Sequence, residues 1–212
     1  MDEQFWHRKW QINEIGFHEA EPNPHLVRNL PALGLPPGAR LLLPLCGKSR
    51  DIHWLVSQNY KVAGIELSRL AVEQLFDELG IVPDISEIGP LQCFETTGLT
   101  IFIGNVFDLN RDALGKVDAI YDRAALVALP EPMRNRYAAH LITVTDAAPQ
   151  LLVCYEYDQT LMNGPPFSVT ETEVRQHFEG RYRLTRLESL DVKGGLKGIC
   201  PSRETIWLLE PR

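Results

Sequence analysis

Residues 40–66 read RLLLPLCGKSRDIHWLVSQNYKVAGIE, and this stretch predicts the fold of the chain. Residues 41–45 are almost entirely apolar and too few for a helix, which indicates a strand buried on both faces, as in a parallel sheet covered by helices. Residues 46–49 form a tight turn that contains one glycine, and an amphipathic segment follows them. A second short apolar run then ends in a carboxylate at Glu66.

A strand, a glycine turn, a helix and a strand with an acid at its tip form the βαβ arrangement that binds nucleotides. Gly47 lets the backbone approach a ligand, and Glu66, about 20 residues later, is placed to accept hydrogen bonds from ribose hydroxyls. A dinucleotide site has G-x-G-x-x-G, whereas S-adenosylmethionine carries no phosphate that would require the further glycines. A methyltransferase is therefore the first interpretation, an NAD-dependent oxidoreductase the second, and an ordinary α/β domain with an incidental glycine turn the third.

Length and composition are typical of one globular domain. The chain has 212 residues, of which 44% are hydrophobic and 23% charged, so we expect a single domain spanning residues 1–212 with a sizeable core. It has no apolar run of about 18 residues, and its N-terminus is too polar for a signal peptide, so we expect no membrane association. The net charge of −7 argues against a nucleic-acid partner.

The cysteines and histidines indicate neither a disulfide framework nor a metal site. The four cysteines are widely spaced and form no C-x-x-C pair, and the six histidines occur in no metal-binding motif. We therefore predict a protein without a metal, located in the reducing cytoplasm.

Short motifs elsewhere in the chain narrow the interpretation. They are FWHRKW at 5–10, GFH at 16–18, PLCGK at 44–48, GIELS at 64–68, YDRAALVAL at 121–129, YD at 157–158 and GPPF at 164–167. In this order, and over most of the chain, they resemble the thiopurine S-methyltransferase family, and the short N-terminus is similar to its bacterial members.

The resemblance implies an α/β fold of the Rossmann-like class I S-adenosylmethionine-dependent methyltransferases, with helices on both faces of a mostly parallel, seven-stranded sheet. Residues 1–35 would form an N-terminal helical cover and residues 40–212 the Rossmann-like core. The implied reaction is S-methylation of thiopurines and other aromatic or heterocyclic thiols by direct displacement, with S-adenosylmethionine as cofactor and a small-molecule thiol as acceptor. We expect a monomer. Another small sulfur, selenium or tellurium acceptor and a catalytically silent binding protein are the alternatives.

The resemblance also assigns site residues. Phe17 and Phe167 would contact the acceptor, although Phe17 and Trp10 are otherwise candidates for ordinary packing. An indole near a sulfonium offers cation–π attraction, which suits Trp10. The residues assigned to the cofactor are Trp10, Leu45, Glu66, Asn105, Val106 and Arg123.

Arg123 follows Asp122 at the end of a predicted strand at 117–121. The pair could be a surface ion pair of little energetic value. However, an arginine at this edge of the sheet can bind the carboxylate of the cofactor or stabilise the thiolate of the acceptor, and the sequence leaves both roles open. Amino methyltransferases that modify bases have N/D-P-P-Y/F where this chain has DRAA, which argues against a nucleic-acid N-methyltransferase.

The segment before the last predicted strand departs from the family. Vertebrate members have an arginine near the acceptor there, and no arginine aligns with it in this chain. Lys193, Lys197 and Arg203 are the candidates to replace it.

Periodicity and capping signals predict the remaining elements, with residues 81–90 as a loop. We expect helices at 2–14, 24–32, 71–79, 130–141 and 171–178, and strands at 92–95, 99–103, 151–157, 182–190 and 204–209.

Overall fold

The computed structural model describes residues 3–16 and 18–212, so Phe17 lies outside the described residues. These residues form seven α-helices and nine β-strands. The chain divides into two compact units, Met1–Ala119 and Ile120–Arg212, and each is described below by itself. The organisation of residues 1–212 as a single domain stays a prediction.

Three helices of the first unit begin at residues whose side chains cap them. The side chains of Asn23, Ser49 and Ser68 each accept a hydrogen bond from a backbone N–H of the first turn that follows. Gly80 ends α4 in the left-handed conformation, with a φ of 67°. The helices are α1 (Glu3–Gln11), α2 (Pro24–Asn29), α3 (Arg50–Ser57), α4 (Arg69–Leu79) and α5 (Arg111–Leu114).

The predicted helix at 24–32 is shorter in the structure. It ends at Asn29 and continues as the 3₁₀ turn Leu30–Leu33. The physical reason is Pro31, which has no N–H to continue the α-helical hydrogen bonds.

The strands of the first unit lie in the order β3-β4-β5-β2-β1. β2 is parallel to both β1 and β5, whereas β3, β4 and β5 form an antiparallel meander. β1, β2 and β5 are largely buried, as expected for a sheet covered on both faces. The strands are β1 (Arg40–Pro44), β2 (Lys61–Glu66), β3 (Asp84–Ile88), β4 (Leu91–Thr96) and β5 (Leu99–Ile103).

The prediction of seven strands is wrong, because the described residues form nine. One strand that was not predicted is β3, which occupies the predicted loop at 81–90. All five of its residues are exposed, so the strand has no buried face and its sequence lacks the alternation that marks one. It forms because Gly89, with a φ of 60°, turns the chain back so that β3 pairs with β4.

The second unit has strands in the order β6-β7-β9-β8, of which β6 and β7 are parallel and the other pairs antiparallel. Its core contains four fully buried large side chains, which are Tyr137, Phe178, Tyr182 and Trp207. The elements are β6 (Ala119–Arg123), α6 (Glu131–Val144), β7 (Gln150–Tyr157), α7 (Glu171–Phe178), β8 (Tyr182–Asp191) and β9 (Ser202–Pro211).

Some element boundaries in this unit differ from the predictions. β6 runs to Arg123 instead of ending at residue 121, so Asp122 and Arg123 are strand residues. α6 extends beyond the predicted end at 141, to Val144. Thr170 caps α7, since its hydroxyl accepts a hydrogen bond from the N–H of Glu173 at 3.3 Å.

Within residues 3–16 and 18–212, no helix is both long and apolar enough to cross a membrane. The four cysteines are buried and none forms a disulfide. No group of three or more histidine, cysteine, aspartate or glutamate side chains in that part of the chain is arranged to hold a metal ion.

Candidate functional site

The turn after β1 has an unusual backbone. Gly47 has a φ of 52°, as expected for a glycine turn, but Leu45 also has a positive φ, of 48°. Such a conformation is uncommon for a residue with a branched side chain, and strain of this kind is concentrated at functional sites. The sequence identified Gly47 but gave no signal for the strain at Leu45, because no local pattern marks a left-handed leucine.

Glu66 connects this turn to the start of α4. Its side chain is only 6% exposed, and its two oxygens accept hydrogen bonds from the N–H groups of Gly47 and Ser68, each at 2.8 Å. Burial raises the pKa of the Glu66 carboxyl, and these backbone hydrogen bonds oppose the rise. Each oxygen keeps a second lone pair, so the carboxylate can also accept a hydroxyl hydrogen bond from a ligand.

Trp10 packs directly on the glycine turn. The indole is 4% exposed, and a β-carbon added to Gly47 would lie 2.9 Å from Cζ2 of Trp10. Gly47 therefore has to be a glycine for two reasons, the positive φ and the close approach of this ring. Trp10, which the family resemblance assigned to the cofactor, thus packs in the space that the missing side chain of Gly47 leaves.

Asn105 and Val106 follow β5, at the same edge of the sheet as Leu45 and Glu66. The side-chain oxygen of Asn105 accepts a hydrogen bond from the N–H of Phe107 at 3.0 Å, which caps the 3₁₀ turn Val106–Asp108. Its amide nitrogen donates to Glu3 Oε1 at 2.7 Å. Val106 is buried.

Helix α1 thus contacts two of the turns at this edge, through Trp10 at one end and Glu3 at the other. Sequence reasoning missed Glu3, because it and Asn105 are about 100 residues apart and no local pattern joins them. The carboxyl ends of β1, β2 and β5 are where open α/β sheets bind ligands. The structure brings together at these ends Trp10, Leu45, Glu66, Asn105 and Val106.

In the second unit, Arg123 is the half-buried last residue of β6 and is followed by Ala124, which has a φ of 60°. The preceding residue, Asp122, is fully buried. One of its oxygens accepts a hydrogen bond from the N–H of Leu126 at 3.0 Å, and the other accepts one from the phenol of Tyr137 at 2.7 Å. Burial raises the pKa of Asp122 from its ordinary value of 3.8 to about 6, against the opposing effect of the hydrogen bonds.

Phe167 and the preceding Gly164-Pro165-Pro166 segment are fixed by contacts from several elements. The N–H of Phe167 donates to the carbonyl of Val127 at 2.6 Å. The phenol of Tyr157 donates to the Pro166 carbonyl at 2.6 Å. The guanidinium of Arg134 lies 5.8 Å from the centre of the Phe167 ring, a cation–π contact.

Arg134 is itself held firmly. Its side chain is 6% exposed and forms a bidentate ion pair with Glu173, in which one of the two N–O distances is 3.1 Å. It also donates to the carbonyl of Leu129 at 2.8 Å. Two planar hydrogen bonds to a carboxylate fix the guanidinium, so the ring of Phe167 rests on a rigid support. Sequence reasoning did not identify Arg134.

The three candidate cations near the last strand have different surroundings. Lys197 donates from Nζ to the Pro165 carbonyl at 2.7 Å, so it contacts the segment that carries Phe167. Arg203 lies 3.4 Å from Asp191 and lines an open cavity of about 780 Å³, together with Tyr157 and other residues of the second unit. Lys193 is exposed.

The fold defines the class of protein. A solved magnesium protoporphyrin IX methyltransferase from Synechocystis with bound S-adenosylhomocysteine has a TM-score of 0.65 and 14% identity, and the match covers 98% of this chain and 99% of that one. A Burkholderia thailandensis 1,6-didemethyltoxoflavin-N1-methyltransferase also has a TM-score of 0.65, with 14% identity over 98% and 87% of the two chains. The fold is that of the Rossmann-like class I S-adenosylmethionine-dependent methyltransferases, as predicted.

The sequence comparisons then place the chain in one family. The family model described as thiopurine S-methyltransferase matches residues 1–210. A thiopurine S-methyltransferase of Xanthobacter autotrophicus is 54% identical over 99% of both chains, and one of Gluconobacter oxydans is 51% identical over 98% of this chain and 94% of the relative. The chain belongs to the thiopurine S-methyltransferase family, so the predicted family is confirmed, and it is a methyltransferase that uses S-adenosylmethionine as cofactor.

The residues at the sheet edge of the first unit fit this cofactor. A single glycine turn suffices for a ligand without phosphates, and Glu66 offers a buried acceptor beside that turn. The indole of Trp10 lies against the same turn, where an electron-rich ring suits a sulfonium.

Replacing Gly47 by alanine tests the contact between α1 and the turn. Gly34→Ala is the matched control, because Gly34 has a φ of 60° but open space around its Cα. Both variants should lose about 1–2 kcal/mol from the strained backbone. Gly47→Ala should lose about 1–3 kcal/mol more, because the new methyl group overlaps Trp10. Urea unfolding of the two variants measures the difference, and equal losses would contradict the packing of Trp10 on this turn.

Proposed function

We propose that this protein transfers the methyl group of S-adenosylmethionine to the sulfur of thiopurines and of other aromatic or heterocyclic thiols. The observation that carries the proposal is the match to thiopurine S-methyltransferases over essentially the whole chain, at 54% identity for the Xanthobacter autotrophicus protein. The motif residues Trp10, Glu66 and Arg123 are all present in this chain.

When bound, S-adenosylmethionine supplies a methyl group that its sulfonium already activates for direct displacement. The residues of the first unit would hold it. We propose that Glu66 accepts hydrogen bonds from the ribose and that Asn105 and Val106 contact the adenine. Leu45 would contact the cofactor through its backbone, and Trp10 would lie near the sulfonium and exclude water.

The acceptor would be held by aromatic side chains, for which we propose Phe17 and Phe167. Aromatic and heterocyclic thiols ionise near or below neutral pH, so a bound thiolate needs no dedicated base. The main task of the protein is then alignment of the reacting groups, which contributes up to about 7–11 kcal/mol in model systems. Arg123 would either bind the carboxylate of the cofactor or stabilise the thiolate, and we favour the carboxylate.

A panel of acceptors tests the proposed function. Purified protein with S-adenosylmethionine should methylate a thiopurine and thiophenols, and mass spectrometry should place the methyl group on sulfur. Oxygen and nitrogen analogues of the same ring systems are the controls. Methylation of selenite or tellurite, without turnover of any aromatic thiol, would contradict the proposed acceptor class but not the transferase reaction.

For Glu66 we expect that substitution by alanine weakens S-adenosylhomocysteine binding by about 1–3 kcal/mol, the usual cost of losing a charged hydrogen-bonding group. Glu73→Ala is the control, since Glu73 lies on α4 in an exposed ion pair with Arg69. Isothermal titration calorimetry measures both. Unchanged affinity in the Glu66 variant would remove Glu66 from the ribose role, and thermal unfolding of the unliganded variant would show how much of any loss comes from the turns that it holds.

The two roles of Arg123 differ in their pH dependence. If Arg123 binds the carboxylate of the cofactor, Arg123→Met should weaken cofactor binding with little change in the pH profile, because that carboxylate stays ionised at neutral pH. If Arg123 stabilises the thiolate, the variant should lose rate most at low pH and recover as the pH rises. Cofactor affinity and single-turnover rates between about pH 6 and 9 separate the two. Wild-type cofactor affinity with a rate profile shifted to higher pH would contradict the role that we favour.

A further inference from the structure

Asp122 and Tyr137 form a buried hydrogen-bonded pair, and Asp122 immediately precedes Arg123, the last residue of β6. Asp122 has no exposed surface, and its carboxylate accepts the phenol hydrogen bond of Tyr137 at 2.7 Å and the N–H of Leu126 at 3.0 Å. The N–H of Ala125 also points at the carboxylate. The pair therefore joins the last strand residues of β6, the turn that follows and helix α6.

The turn that this carboxylate holds is the one next to Arg123. Ala124 has a φ of 60°, a conformation that costs an alanine about 1–2 kcal/mol. A strained turn keeps its conformation only when its surroundings determine it. Here the determining contacts are the hydrogen bonds of Leu126 and Ala125 to Asp122, and the phenol of Tyr137 fixes the orientation of the carboxylate.

We propose that Asp122 and Tyr137 are positioning residues that hold the turn at 123–126 and thereby set the direction in which Arg123 is presented. The proposal rests on the proposed function, in which Arg123 binds the cofactor or the acceptor. Asp122 and Tyr137 act through Arg123 and need not touch either ligand.

The cost of the buried charge supports a role beyond packing. A group whose pKa is raised in the folded state contributes stability below its ordinary pKa and loses it as the pH rises through the raised value. For Asp122 this stability is lost as the pH rises from 3.8 to about 6. At neutral pH the buried, ionised carboxylate therefore destabilises the folded protein. Costs of this kind are typical of groups kept for function.

The titratable side chains of Tyr137 and Cys154, which face the Asp122 carboxylate, are neutral near pH 7, so hydrogen bonds stabilise its charge. The phenol of Tyr137 on α6 and the thiol of Cys154 on β7 face it, and burial raises the pKa of both, so both stay neutral near pH 7. Arg123 is the neighbour of Asp122 in β6, where successive side chains point to opposite faces of the sheet. The Tyr137 hydrogen bond lowers the pKa of Asp122, so its loss should raise that pKa further.

Three variants test the proposal by their ratios to the wild type in S-adenosylhomocysteine affinity and in single-turnover rate. Tyr137→Phe should stay within about 2-fold of wild type near pH 8.5 and fall by about 5-fold or more near pH 6.5, because Asp122 becomes protonated there. Asp122→Asn should be weakened about equally at both pH values, because the amide does not titrate and its nitrogen cannot accept the hydrogen bonds that the carboxylate accepts.

Tyr182→Phe is the matched control. The phenol of Tyr182 is buried and donates to the carbonyl of Ala148 at 3.0 Å, so the variant loses a comparable hydrogen bond that does not involve Asp122 or the turn after β6. Its pH profile should superimpose on that of the wild type. Identical profiles for Tyr137→Phe and Tyr182→Phe would overturn the positioning role and leave the proposed function intact. Failure of the wild type to methylate any thiol would instead overturn the proposed function, while the affinity ratios would still decide whether the pair positions Arg123.

Discussion

The hydrogen bonds of one buried carboxylate, that of Glu66, determine how the ligand edge of the first unit is built. One oxygen holds the N–H of Gly47 in the turn after β1, and the other holds the N–H of Ser68 at the start of α4. Without this acceptor, two buried backbone donors would be unsatisfied, each at a cost of about 1–3 kcal/mol. The turn at Gly47 also supports Trp10, because only a glycine in the left-handed conformation leaves room for the indole. The strand tip, the glycine turn and α1 therefore depend on a single side chain.

The second unit uses the same physical device at the end of β6. Asp122 is buried, as Glu66 is, and it accepts hydrogen bonds from the backbone of the turn that follows it. In both residues burial raises the pKa, which means that the ionised form is kept against the cost of desolvation. Fixed acceptors of this kind organise a turn before any ligand arrives, so less ordering has to accompany binding.

Patterns that are local in sequence were predictable, because their physical cause is local. Ser68 and Thr170 cap helices through bonds that span three residues, and the glycine turn and the acid at Glu66 follow from the βαβ spacing. Strand β3 could not be predicted, because an exposed edge strand has no apolar face to produce a period. The left-handed Leu45 likewise leaves no trace in composition.

Contacts between distant residues are the other part that the sequence could not provide. The hydrogen bond from Asn105 to Glu3 and the cation–π contact of Arg134 with Phe167 join residues far apart in the chain. Each requires knowledge of which helix lies against which turn. The predicted cation near the last strand shows the same limit: the sequence left three candidates, and the structure shows that Lys197 is the one that contacts the Pro165 carbonyl.

The two units also differ in the contacts that hold their candidate site residues. At the sheet edge of the first unit, the contacts are made largely by backbone N–H groups and by a glycine, whose positions follow from the fold itself. Around Phe167, the support comes from side chains of Arg134, Tyr157 and Lys197. Backbone contacts persist when neighbouring side chains change, whereas contacts made by side chains are altered by each substitution. Relatives that share the fold are therefore expected to keep the backbone contacts of Glu66, whereas the contacts around Phe167 can differ between them.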